Sequence, residues 1–141
     1  MIRPIRAADL ERIKEIDRVA FSANDQYGDA VYEQMLQSNR SVIAETPDGV
    51  VAGYVFVGAA RQAGGGDVFG YVRSVAVHPE YRRRGYGRAL MEEVIERGGR
   101  DIVIDLFVEE ENADAIRLYQ SLGFQPAEVS PFAPQRRRMV L

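Results

Sequence analysis

Six consecutive residues, Arg82-Arg83-Arg84-Gly85-Tyr86-Gly87, have the types and spacing to hold an anion. They stand between an apolar run that ends at Val77 and an amphipathic stretch that begins at Gly87. The first turn of a helix offers free N–H donors and the positive end of the peptide dipoles. Gly85 and Gly87 carry no Cβ, so an anion can approach that backbone closely. Arg82, Arg83, Arg84 and Arg88 add permanent charge and forked donors. The chemistry served would be the grip of a phosphate. The same residues also make an ordinary solvated basic turn, and spacing alone leaves both readings open. A P-loop fits badly, because Arg88-Ala89 stands where lysine and Ser/Thr are needed. A dinucleotide fingerprint fits no better. Residues His78 to Arg84 separate the strand from the first glycine, and the large Leu90 sits where a third small residue belongs.

Groups able to move protons lie further on. Asn112 and Tyr119 are seven residues apart on a helical stretch, so they share one helix face. By themselves they read as a helix cap and as core packing against Phe124. Asp105 and Glu109 alternate with Phe107 along one face of a strand. His78 stands beside Pro79 at a strand end, which favours a structural role. With no cysteine and one histidine, a disulfide framework, a thiolate or His-based metal site and a cysteine nucleophile are excluded. A Ser-His-Asp triad is disfavoured for the same reason.

Several elements must position these groups. Val68 to Val77 is rich in β-branched and aromatic residues and reads as a buried strand, ended by His78-Pro79. From Gly87 a helix follows, with Leu90, Met91, Val94 and Ile95 on its apolar face and Gly98-Gly99 as its stop. Asp101 to Val108 is the next strand, with Ile102, Ile104, Leu106 and Val108 facing one way. A strand–helix–strand unit of this length implies parallel pairing through a right-handed crossover. Asn112 caps a helix over Ala113 to Leu122, and Gly123 is its C′ residue with Phe124 packing back.

Upstream, Ile2 to Arg6 reads as a strand, and Asp9 as the cap of a helix whose inner face is Leu10, Ile13, Ile16 and Ala20. A second helix spans Asp29 to Gln37, with Val31, Met35 and Leu36 inward. Ser41 to Ala44 and Val50 to Ala59 form a hairpin around the Pro47-Asp48-Gly49 turn. Arg61 to Asp67, with its three glycines, is a hairpin tip. Downstream come a strand over Phe124 to Val129, a turn over Ser130 to Pro134 and a last strand over Gln135 to Leu141. There Arg136-Arg137-Arg138 reads as a solvated edge.

The 141 residues, 46% hydrophobic and 28% charged, are expected to form a single domain over residues 1–141. A net charge of −3 argues against a nucleic-acid partner. No apolar run reaches membrane-spanning length and Met1-Ile2-Arg3-Pro4 is not a signal peptide, so the expected home is cytoplasmic.

Arg-x-x-Gly-x-Gly after a strand and before a helix is similar to the acetyl-CoA motif of the GCN5-related N-acetyltransferase (GNAT) family. Ser74 to Tyr81 and Asn112 to Phe124 resemble that family as well, with the asparagine region closest to ribosomal-protein alanine N-acetyltransferases. The resemblance implies an α/β fold. Its central sheet is mixed and mostly antiparallel, with one parallel strand–helix–strand unit and helices on both faces. It implies acetyl-CoA as co-substrate, no metal and no membrane, and a primary amine acceptor, either a small molecule or a peptide. Dimers are frequent in the family, which leaves a homodimer open. By this resemblance Val75, Ala76 and Val77 run along the pantetheine arm, and Arg82, Arg83, Arg84, Gly85, Tyr86, Gly87 and Arg88 take the pyrophosphate. Asn112 contacts CoA, and Tyr119 stands beside the sulfur as the general acid. The ribosomal-protein members carry a glutamate that aligns near Phe107, and phenylalanine cannot take a proton. Asp105, Glu109 or water is left as the base. That gap also keeps alive a non-catalytic acyl-CoA sensor on the same fold.

Overall fold

The computed structural model describes residues 1–20, 27–38, 40–61, 68–98, 104–109, 112–126 and 136–141. Its strands are β1 (Ile2–Pro4), β2 (Val42–Glu45), β3 (Val51–Arg61), β4 (Val68–Val77), β5 (Ile104–Glu109), β6 (Gln125–Pro126) and β7 (Arg136–Val140). They form a seven-stranded sheet in the order β1-β2-β3-β4-β5-β7-β6. Every neighbouring pair is antiparallel except β4 and β5, which run parallel as the strand–helix–strand spacing requires.

Helices α1 (Leu10–Ala20) and α2 (Asp29–Gln37) cover one face, α3 (Tyr86–Gly98) and α4 (Ala113–Ser121) the other. Strand alternation divides the core accordingly. Val55 and Val57 join Leu90, Met91, Leu106 and Phe124 on the α3/α4 side. Tyr54 and Phe56 join Ile13, Ile16 and Met35 on the α1/α2 side.

A bulge breaks the β3–β4 ladder. Phe56 pairs with Ser74 but Val57 pairs with Val72, so Arg73 is the extra residue. The β4–β5 pairing reaches only Val72↔Leu106, although β4 continues to Val77 and β5 to Glu109. Past the bulge, therefore, β4 keeps a ladder on its β3 side alone. The His78 N–H donates to the Ala52 carbonyl at 2.8 Å. Backbone groups alternate along a strand, so Ser74 and Ala76 also point theirs at β3, and Val75 and Val77 point theirs away from it.

Three sequence expectations are corrected here. Asp9 does not cap α1. It closes a 3-10 turn over Ala7–Asp9, where its carboxylate accepts from the Arg6 N–H at 2.7 Å and from Arg3 at 2.8 Å. Leu36 is 40% exposed and Tyr32 is buried in its place, because Asp29–Gln37 presents the Tyr32/Met35 stripe to the sheet. Finally, β7 is not an edge: it lies between β5 and β6. Of the expected tip over Arg61 to Asp67, Arg61 belongs to β3 and the rest falls outside the described residues; so do the turn over 130–134, Ile102 and Val103, and the side chains of Arg136, Arg137 and Arg138.

Candidate active site

The opening left where β4 departs from β5 is a cleft of about 630 Å³. Val75, Ala76 and Val77 line it from the sheet, α4 forms the opposite wall, and the turn before α3 closes one end. That turn leaves open backbone at the head of α3. Gly85 adopts φ +86°, and a Cβ built there would meet nothing within 4 Å. The Ala89 N–H donates to the Gly85 carbonyl at 3.0 Å as the first bond of α3. Tyr86, Gly87 and Arg88 are thus the first-turn amides that find no intrahelical acceptor. Arg83 holds φ +61°, an uncommon conformation for a residue with a side chain. Gly87 lies against α4, where a Cβ would stand 3.6 Å from Leu118 Cδ2.

The arginines do not act alike. Arg82 folds back and donates Nε to the Val77 carbonyl at 3.2 Å, which occupies one of the outward groups of β4. Arg83 spans the cleft mouth to Asp114, 3.7 Å away, and both side chains are exposed. Arg88 lines the cleft but bonds Ser121 at 2.5 Å and faces Glu92 at 3.7 Å, so it ties α3 to α4. Arg84 is the one residue of the expected set that does not line the cleft; its guanidinium lies 5.4 Å over the Tyr81 ring. Tyr81 in turn packs edge-on against Tyr86, and both rings line the cleft.

Asn112 is an N-cap, as expected: its Oδ1 accepts from the Ala115 N–H at 3.2 Å. It also lines the cleft, so cap and lining roles coincide. Tyr119 lines the same wall two turns on and is 5% exposed. Burial pushes its phenol up to about 12, and its hydroxyl has no hydrogen-bond partner among the described residues. Asp105 and Glu109 have their backbones in β5, but their side chains fall outside the described residues. His78 accepts from the Glu80 N–H at 3.2 Å, and it is not among the residues that line the cleft. Among the described residues no group of three potential ligands could hold a metal, and no helix is long and apolar enough to cross a membrane.

Sequence reasoning missed Ala20, Tyr81, Asp114, Ala115 and Leu118 as lining residues. The last two were legible. Asn112, Ala115, Leu118 and Tyr119 form one stripe at helical spacing, and once its ends are placed the middle follows.

Comparison with known proteins agrees with this architecture. The sequence profile of the Acetyltransferase (GNAT) family matches residues 10–124. The chain is 31% identical over 128 residues to the N-alpha-acetyltransferase RimI of Mycobacterium tuberculosis, covering 88% of this chain and 77% of that protein. It is 45% identical over 58 residues to the ribosomal protein bS18 alanine N-acetyltransferase of Escherichia coli, covering 40% of this chain and 39% of the other. Among solved structures, Arabidopsis thaliana NAA60 in complex with a bisubstrate analogue superposes with a TM-score of 0.83 at 25% identity, covering 100% of this chain and 96% of that one. With a profile match that runs from α1 through α4 and a cleft built where β4 and β5 part, the chain belongs to the GNAT acetyltransferase family and is an acetyl-CoA-dependent N-acetyltransferase.

Proposed function

We propose that this N-acetyltransferase moves the acetyl group of acetyl-CoA onto the α-amine of a peptide or protein, by direct attack in a ternary complex, with Tyr119 as the acid to the departing sulfur. The acceptor class follows the relatives, whose names specify an N-alpha-acetyltransferase and an alanine of a ribosomal protein. The Tyr119 hydroxyl is the observation that carries the acid role. A buried hydroxyl left without a partner costs about 1–3 kcal/mol. Tyr119 has none among the described residues, and it lines the cleft. Such a group suits a ligand atom better than the core.

The remaining parts divide the chemistry. The amides of Tyr86, Gly87 and Arg88, with Arg83, take the diphosphate. The outward backbone of Val75 and the Val77 N–H pair with the pantetheine arm, and one of these N–H groups faces the thioester oxygen, where charge develops on attack. Asn112 holds the same arm from α4. The raised phenol stays protonated at neutral pH, so it always has a hydrogen to give. A thiol titrates well below this phenol, so full proton transfer to the sulfur is uphill. Tyr119 therefore donates a hydrogen bond to the sulfur as charge builds there, and any proton it gives up is returned to the phenolate by water, while the amine loses its own proton separately. Asp105, Glu109 or water receives that proton.

The test is thiol release from acetyl-CoA with a panel of free α-amine peptides, Nα-blocked lysine peptides and small amines. Turnover restricted to the free α-amine peptides supports the acceptor. Turnover restricted to lysine or small amines overturns it. Tyr119→Phe is expected to lower kcat about 100-fold, with acetyl-CoA affinity within twofold. An unchanged kcat removes the acid assignment.

A further inference from the structure

Behind the cleft, on the α1/α2 face, lies a polar cluster that the transfer chemistry does not use. Asp17 of α1 is completely buried. Its Oδ1 accepts from the Tyr54 hydroxyl at 2.5 Å and its Oδ2 from the Tyr32 hydroxyl at 2.7 Å. No cation pairs with it among the described residues. Tyr54 extends the chain, because its hydroxyl also meets Ser74 Oγ at 2.9 Å. A third tyrosine reaches the neighbouring backbone: the Tyr27 hydroxyl donates to the Arg73 carbonyl at 3.0 Å. The rings of Tyr27 and Tyr32 pack edge-on at 6.4 Å.

These bonds converge on one place. Arg73 is the bulge residue and Ser74 follows it, so the cluster grips β4 at the point where it leaves β5. Beyond that point Val75 and Val77 face the cleft with a ladder on one side only. Ala20, one turn after Asp17, lines the same cleft. Desolvating a lone carboxylate is costly, and two tyrosine donors offset that cost incompletely. Consistent with this, burial outweighs the hydrogen bonds and raises the Asp17 carboxyl. An apolar residue would serve core stability better, so the cluster is accounted for by what it holds.

We infer that Asp17 is a positioning residue for acetyl transfer: through Tyr54 and Ser74 it fixes the free arm of β4 that presents Val75 to the thioester. This rests on the cleft being the acetyl-CoA site, but on neither the acceptor class nor the Tyr119 assignment. The phosphate grip lies at the other end of the arm, so kcat should fall further than coenzyme affinity.

The test uses Tyr54→Phe, Asp17→Asn and Ser74→Ala, the last being small enough to leave the fold intact. Tyr54→Phe and Ser74→Ala should each lower kcat about 10-fold per folded molecule, with KM for acetyl-CoA rising no more than about threefold. Their double variant should be no worse than Tyr54→Phe alone, because both cut the same chain. Amide hydrogen exchange of the free protein supplies a reading that needs no acceptor. Ser74 and Ala76 should exchange at least 10-fold faster in each variant, with Ile43 and Ala44 unchanged. Exchange accelerated evenly across the sheet, a lower melting temperature with kcat retained, or additive losses in the double variant would overturn the inference. An unaltered kcat in Tyr119→Phe would remove the acid and leave this result standing.

Discussion

The Phe124 N–H donates to the Tyr119 carbonyl at 3.0 Å, and the two rings lie 5.8 Å apart. The Gly123 N–H donates to the Gln120 carbonyl, also at 3.0 Å, so α4 ends in a complete Schellman motif. Ring and backbone thus fix the side chain proposed to meet the sulfur. The motif depends on Gly123, which holds φ +99° and whose Cβ would stand 3.2 Å from Leu141 Cδ1. Gly123→Ala is expected to cost about 1–2 kcal/mol, a fall of roughly 3–6 °C in melting temperature. Loosening of Tyr119 should lower kcat about 10-fold beyond that. Thermal melts and kcat on the same sample check both, and an unaffected kcat would show that the motif serves stability alone.

The two glycines of the anion turn should respond differently. Gly85 needs its left-handed backbone, so Gly85→Ala costs about 1–2 kcal/mol of stability as well as coenzyme affinity. Gly87 lies inside α3 without that constraint, and a methyl there would make ordinary contact with Leu118. Gly87→Ala should leave the melting temperature equal or higher, since alanine favours a helix by up to about 1 kcal/mol. It should still weaken acetyl-CoA binding about 10-fold by crowding the amides. Calorimetric titration with CoA decides the point. Full affinity in Gly87→Ala would place the diphosphate elsewhere.

Arg83 and Asp114 face each other across the cleft mouth at 3.7 Å. The carboxylate both holds the guanidinium and repels a diphosphate. Asp114→Asn should therefore tighten acetyl-CoA binding about two- to fivefold at low ionic strength. The gain should shrink as salt is added, because both side chains are exposed. Titrations at about 20 mM and 300 mM salt, roughly a fourfold change in screening length, provide the measurement.

Two buried carboxylates give the stability opposite responses to pH. Burial alone would raise Asp9, but the Arg3 guanidinium and the Arg6 N–H outweigh it and hold the carboxyl below its usual 3.8. The stabilisation from Asp9 is complete above 3.8 and is lost as pH falls through the lowered value. Burial raises Asp17 above 3.8, so its contribution is complete below 3.8 and is lost as pH rises through the raised value. Asp9→Asn should cost about 1–3 kcal/mol at neutral pH and progressively less in acid. Asp17→Asn should gain on the wild type as pH rises. Urea denaturation across the pH range checks both slopes, and parallel curves for Asp17→Asn and wild type would refute the second.

Much of the site was legible because its residues are local in the chain. The Gly85/Gly87 turn, the Asn112 cap and the Gly123 stop each depend on a few consecutive residues, whose backbone preferences survive folding. The parallel β4–β5 pair was legible from connection length. The Asp9 expectation failed because Arg3, six residues upstream, competes for the same carboxylate. Leu36 failed because a nine-residue helix with apolar residues on two sides does not announce which side meets the sheet. Asp17 carried a faint signal, a carboxylate on the Ile13/Ala20 stripe of α1, but nothing local says that two tyrosines meet it.

By itself the sequence determined the Gly85/Gly87 turn, both ends of α4 and the parallel β4–β5 unit, since φ preference, missing Cβ atoms and connection length act over short distances. The tertiary structure decided where those pieces point. Only sheet register creates the Arg73 bulge, parts β4 from β5 and turns Val75 and Val77 toward an open cleft. Only the packing of α1 on β3 and β4 joins Asp17 to Tyr54 and Tyr54 to Ser74, because contacts between residues 37 and 20 positions apart depend on the closed fold and not on any local preference.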